Sequence, residues 1–213
     1  MINFHNCDCV DFMIKCKNNE FDLAIVDPPY GIGEDWKKRS RTSRKYRGEY
    51  KNDKIPDKKY FSELFRVSKN QIIWGYNYYT EILGPTNYII FWDKLVGKGA
   101  FYSHGELAYS SFKIPLIKIT IPWDGARKGT ETGTDKIHPH QKPIELYRQL
   151  LLKFAKSGDK ILDTHGGSMV FARACYEFNY NLDIIEKDLF YFDLSKKEFY
   201  KYMKKRTKEN RMI

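Results

Sequence analysis

Apolar residues along this chain gather into short runs separated by segments with helical spacing. The runs at 23–26, 71–74, 88–92, 107–112, 160–162 and 182–185 predict strands. Phe61, Leu64 and Phe65 mark a helix between the first two runs. Ile144, Tyr147, Leu150, Leu151 and Phe154 fall on one face of a second helix, with Pro143 in its first turn and Gly158 as its stop. Phe171, Ala174, Cys175 and Phe178 repeat with the same period as a third. Alternating strands and helices predict an α/β fold with a largely parallel sheet and helices on both faces. The stretches 31–56, 94–105 and 122–140 lack periodicity, and long loops at strand ends of such folds usually carry function. Tyr78 and Tyr79 read as core.

Composition narrows the class. At 213 residues the chain is expected to form a single domain, 1–213, with a core that needs no disulfide or metal. With 42% hydrophobic, 16% aromatic and 30% charged residues, it is too apolar for disorder, and it has no long apolar run for a membrane span. The segment Met1 to Asn6 lacks the basic stretch and apolar core of a signal peptide, so the expected location is the cytoplasm, with reduced thiols. Cys7, Cys9 and Cys16 have no second C-x-x-C pair to complete a zinc site. His138 and His140 read as polar surface or part of a turn, and no metal is expected.

The net charge is +10, and its distribution says more than its total. Between 37 and 59 lie Lys37, Lys38, Arg39, Arg41, Arg44, Lys45, Arg47, Lys51, Lys54, Lys58 and Lys59, opposed only by Glu49, Asp53 and Asp57. A self-repelling block of this kind suits a phosphate backbone, because each neutralised phosphate releases a counterion. The basic run 196–211 fits the solvated face of a last helix equally well.

The first strand run is followed at once by Asp27-Pro28-Pro29-Tyr30. Asp before Pro is a common turn opener, and Pro-Pro simply ends a strand. The same residues also suit amine chemistry. An aromatic amine is a poor nucleophile until its lone pair is localised, and an acceptor on each N–H achieves this. The Asp27 carboxylate and the Pro28 carbonyl offer two acceptors on a backbone fixed by proline rings, and Tyr30 offers a flat face to an extruded base.

These residues resemble the D-P-P-Y element of the DNA amino-methyltransferases, and more of the chain follows that pattern. The stretch Ile161-Leu162-Asp163-Thr164-His165-Gly166-Gly167-Ser168 resembles the family's cofactor loop, and Glu186, about 20 residues on, resembles its ribose-binding acid. His138-Pro139-His140-Gln141-Lys142-Pro143 resembles an H-P-x-Q-K-P element, and Asn6-Cys7-Asp8-Cys9 the segment that reads the cofactor's adenine. Segments 71–79, 91–94 and 106–112 are similar to the short stand-alone adenine enzymes often found in phages. The catalytic element precedes the cofactor loop, as in the permuted beta group.

The resemblance implies a Rossmann-like S-adenosylmethionine-dependent methyltransferase fold with a mixed seven-stranded sheet, acting on adenine N6 in double-stranded DNA. It implies catalytic roles for Asp27, Pro28, Pro29 and Tyr30. Cofactor contacts fall to Asp8, Cys9, Asp27, Lys142, Asp163, His165, Gly166, Gly167, Ser168 and Glu186, and DNA contacts to Lys37, Lys38, Arg39, Arg41, Arg44, Lys45 and Arg47. With no separate recognition domain visible, the loops at 31–56 and 94–140 are expected to read bases, within a homodimer as in some relatives. Two positions depart from the family: Met169 stands where a further glycine is usual, and His165 where phenylalanine is usual. Alternatives are N4-cytosine methylation, disfavoured because resembling cytosine enzymes usually carry Ser in place of Asp27, RNA adenine methylation, and a silent nucleic-acid-binding module.

Overall fold

Leu23, Ala24, Ile25 and Val26 are each at most 1% exposed, as a strand covered on both faces requires. They form the centre of the sheet in this computed structural model, which describes residues 1–32, 53–97, 103–124, 127–132 and 135–210. The strands are β1 (Ile2–His5), β2 (Leu23–Val26), β3 (Gln71–Trp74), β4 (Ile89–Asp93), β5 (Gly105–Ser110), β6 (Ile117–Thr120), β7 (Lys160–Asp163) and β8 (Asn181–Ile185). The helices are α1 (Cys9–Ile14), α2 (Lys58–Val67), the single turn α3 (Thr80–Leu83), α4 (Ile144–Phe154), α5 (Val170–Glu177) and α6 (Leu189–Asn210). No described helix is long and apolar enough to cross a membrane.

Among the described residues the sheet has eight strands in the order β1-β8-β7-β2-β3-β5-β4-β6, one more than the resemblance implied. Neither outermost strand, β1 nor β6, was marked by the apolar runs. Each is four residues long and only partly buried, so its sequence carries little apolar signal. The sheet is mixed, as expected. β1, β8, β7, β2 and β3 run parallel, β5 is antiparallel to both β3 and β4, and β6 is parallel to β4. β5 ends at Ser110, so Ser111 and Phe112 lie beyond the strand rather than in it.

Successive residues of β2 feed opposite cores. Leu23 and Ile25 pack in a cluster with Leu146 and Leu150 of α4, Phe171 and Ala174 of α5, and Phe199 of α6. Ala24 and Val26 pack with Met13 of α1 and Tyr60, Phe61 and Leu64 of α2. The two helix layers therefore cover both faces. Pro143 is the residue that caps α4, and the first helical N–H, that of Ile144, is accepted by Glu131 at 2.7 Å.

Candidate active site

The pairing of the central strands sets the level of each candidate residue. Ala24 pairs with Leu162, and Asp163 with Ile184. Counting on along these registers puts Asp27, His165 and Glu186 at one level, just past the carboxyl ends of three neighbouring strands. β7 leads to β8 on one side and β2 to β3 on the other, so this level lies at the switch point where open α/β sheets bind ligands.

Asp27 is held on both oxygens. The Tyr30 hydroxyl donates to its Oδ1 at 2.5 Å, and the Lys142 ammonium contacts its Oδ2. Lys142 is only 4% exposed and also reaches Glu106 Oε2 at 3.0 Å and the Tyr30 hydroxyl at 3.1 Å. Lys94 closes the cluster on Glu106 Oε1 at 2.5 Å. Burial opposes charge on Glu106, yet Lys142 and Lys94 hold its carboxyl well below the usual range. Burial likewise opposes charge on Lys142, and Asp27 and Glu106 overcome it to raise its pKa. The resemblance implied a cofactor contact for Lys142, and the side chains it touches here are Asp27, Glu106 and Tyr30. Glu106 lies inside the family-like segment 106–112, and nothing in the sequence marks it beyond being an acid in a strand run. Gly105 beside it lets the strands approach, since a Cβ there would lie 2.2 Å from the Phe91 ring.

The two prolines are held by Tyr79, whose hydroxyl lies 2.7 Å from the Pro28 carbonyl oxygen and 2.8 Å from that of Pro29. A carbonyl has two lone pairs, so Pro28 keeps one for a ligand. Tyr79 is core, as expected, but Tyr78 is 39% exposed and its ring stacks on Tyr30 at 4.9 Å. Tyr30 and Tyr78 therefore form a stacked pair of rings. Gly75, at φ +82°, makes room for Tyr30, since a Cβ there would fall 2.3 Å from the ring.

On the neighbouring strand ends the residues are polar but unlike the first cluster. Asp163 is buried and accepts the His165 N–H at 3.0 Å, and burial pushes its carboxyl up to about 8. His165 Nδ1 lies 2.9 Å from the Thr164 hydroxyl, which also meets the Tyr60 hydroxyl at 2.7 Å. Burial takes His165 down to about 4. The Gly167 N–H donates to Glu186 Oε2 at 2.7 Å, and the Asp188 N–H to Oε1 at 2.8 Å. Each oxygen retains a lone pair for a hydroxyl. Gly166 and Gly167 press close to Ile184 and to the buried His138 ring, which sits over the turn. Ser168 is buried beside them.

Asp8 has another task in this structure. It caps α1 by accepting the Val10 N–H at 2.8 Å, and its second oxygen takes Lys187 at 2.8 Å. Cys9 is the first residue of that helix, and burial pushes its thiol up to about 12. The candidate DNA contacts Lys37, Lys38, Arg39, Arg41, Arg44, Lys45 and Arg47 lie outside the described residues.

A nucleoside with a cationic side chain fits these residues. The carboxyl groups of Glu186, Asp163 and Asp27 border a close-packed glycine turn at a switch point, a donor set matched to ribose hydroxyls and positive charge. Fold and site together define a Rossmann-like methyltransferase. The family model described as "DNA methylase" matches residues 73–197, and the chain belongs to that family of N6/N4 enzymes. It is an S-adenosylmethionine-dependent DNA methyltransferase. It is similar to the type II methyltransferase M2.MboI of Moraxella bovis, 26% identical over 240 aligned residues that cover 93% of this chain and 87% of that protein. Among solved structures, the M1.HpyAVI–SAM complex matches with TM-score 0.60 and 17% identity, covering 93% of this chain and 100% of that one. The cytosine-N4-specific PvuII DNA methyltransferase matches with TM-score 0.58 and 11% identity, covering 91% and 84%.

Proposed function

We propose that the chain methylates the exocyclic N6 of an adenine flipped out of double-stranded DNA. Asp27 accepts one amine N–H and the free lone pair of the Pro28 carbonyl accepts the other, which localises the nitrogen lone pair. S-adenosylmethionine, when bound, supplies an electrophilic sulfonium methyl group. Glu186 holds the ribose hydroxyls, while Asp163, His165 and the turn Gly166-Gly167-Ser168 line the rest of the pocket. Asp8 and Cys9 border its adenine end. Tyr30, backed by Tyr78, stacks against the base. The amine proton becomes acidic only as the new bond forms, so Asp27 needs to accept a hydrogen bond and need not be a strong base.

The observation that carries this reading is that Asp27, His165 and Glu186 follow the carboxyl ends of the neighbouring strands β2, β7 and β8, with Asp163 interacting with both Asp27 and Glu186. Asp at position 27 favours adenine over cytosine. Asp27→Ala is expected to lower kcat by about 10²–10³ while cofactor affinity in calorimetry persists. Methylation at the parent's rate would overturn the mechanism. Nucleoside analysis of product DNA is expected to give N6-methyladenine, and N4-methylcytosine would reassign the base. Neutralising Arg39, Arg41, Arg44 and Arg47 is expected to weaken DNA binding and flatten its salt dependence. An unchanged slope would move the contact surface elsewhere.

A further inference from the structure

Asp27 shares its environment with a second buried carboxylate that the proposed chemistry does not use. We propose that Glu106 is a positioning residue: by sharing the charge of Lys142, it keeps the Asp27 carboxylate a strong acceptor for the target amine. This rests on the reading of Asp27 as that acceptor.

Within the hydrogen-bonded cluster the charges balance. Asp27 and Glu106 supply two negative charges, and Lys142 and Lys94 two positive ones. The three ammonium protons of Lys142 match its three neighbours, Asp27, Glu106 and the Tyr30 hydroxyl. Tyr30 lies between the carboxylates, 2.5 Å from Asp27 Oδ1 and 3.2 Å from Glu106 Oε2. Beyond this ring, Lys136, His140 and Tyr147 also act on Glu106 electrostatically, and His140, Tyr147 and Asp163 on Asp27.

Two single substitutions upset this balance in opposite directions. With Glu106→Gln, the buried ammonium of Lys142 has Asp27 as its only anion, and the tighter ion pair leaves a poorer acceptor for the amine. With Lys142→Met, Asp27 and Glu106 are left with Lys94 as the cluster's one cation, and the excess buried carboxylate takes up a proton. The acceptor is then lost at neutral pH and regained as pH rises. Combining both substitutions removes one charge of each sign. Asp27 returns to a single carboxylate bonded to Tyr30, with Lys94 as the remaining cation.

Charge balance therefore makes a non-additive prediction. Glu106→Gln and Lys142→Met should each lower kcat roughly 10- to 100-fold, as expected for loss of positioning, with the affinity for S-adenosylhomocysteine in calorimetry kept within about threefold. The double variant should be faster than either single one. The acid limb of the kcat profile should move to higher pH in Lys142→Met alone. Infrared difference spectra against the parent, in which the protonated Asp163 cancels, need no activity and should show an additional protonated carboxyl band at neutral pH in Lys142→Met that is absent in the double variant. A double variant as slow as the product of the single losses, with no such band, would overturn the proposal and leave Glu106 a structural residue. If Asp27→Ala proved as active as the parent, the assignment of Asp27 itself would fall, an outcome separable from failure of the charge cycle.

Discussion

Around Asp27 each buried charge meets a partner of opposite sign, whereas one strand away Asp163 and His165 are held by dipoles. Burial is comparable and the result is opposite. Lys142 and Glu106 stay ionised because each supplies the other's counter-charge. Asp163 receives a backbone N–H, feels the like charges of Asp27 and Glu186, and is pushed up to about 8. His165 has a hydroxyl at Nδ1 and is taken down to about 4. The first region keeps charge where acceptor strength is needed. The second is short of positive charge, which a cationic cofactor brings.

The contrast breaks most sharply at Asp163. Its folded pKa lies above its unfolded value, so the penalty for ionising it is absent below about 3.8 and accumulates as pH rises toward 8. Asp163→Asn keeps an oxygen for the His165 N–H and cannot ionise. Relative to the parent, the variant should gain stability from pH 4 to pH 8, by on the order of 6 kcal/mol, and no more above that. Denaturant titrations of both proteins across this range measure it. Parallel stability curves would mean that Asp163 has a counter-charge.

His165 gives the opposite sign and a smaller effect. Its folded pKa is depressed, so stability present above about 6.5 is lost as pH falls toward 4. His138, taken down to about 3 by burial, contributes in the same direction. His165→Phe removes one of these two groups, and Thr164 still has Tyr60 for its hydroxyl. The variant should lose about 3 kcal/mol less than the parent between pH 6.5 and 4. An unchanged acid slope would place the His165 ring in contact with water.

What could be read from the sequence follows from how local each signal is. β2, β3 and β7 are buried in the centre of the sheet, and their apolar runs mark them clearly. β1 and β6 at the two edges are of the same length but less buried and leave more polar traces. The element at 27–30 was legible because its chemistry is contiguous. Glu106, Lys94 and Lys142 come from three separate segments, and no spacing rule joins them. Asp8 shows the limit from the other side, because an acid before a short helix caps it whatever else it binds.

The smallest effect tests how tightly the cofactor loop is held. Met169 takes a left-handed conformation, φ +51°, at the start of α5, where the resembling family has glycine, and its side chain is 0% exposed. Two terms therefore oppose each other: left-handed strain of about 1 kcal/mol and burial of a methionine side chain, which is larger. Removing the side chain destabilises in either case, but Met169→Ala keeps the strain and Met169→Gly relieves it. The glycine variant should be the more stable of the two by about 1 kcal/mol, the reverse of the order inside a helix, where alanine is better by about that amount. Thermal melts of the two variants side by side decide it. If alanine proved the more stable, residue 169 would sit in an ordinary helical conformation, and the loop would be held less tightly than the charges beside it.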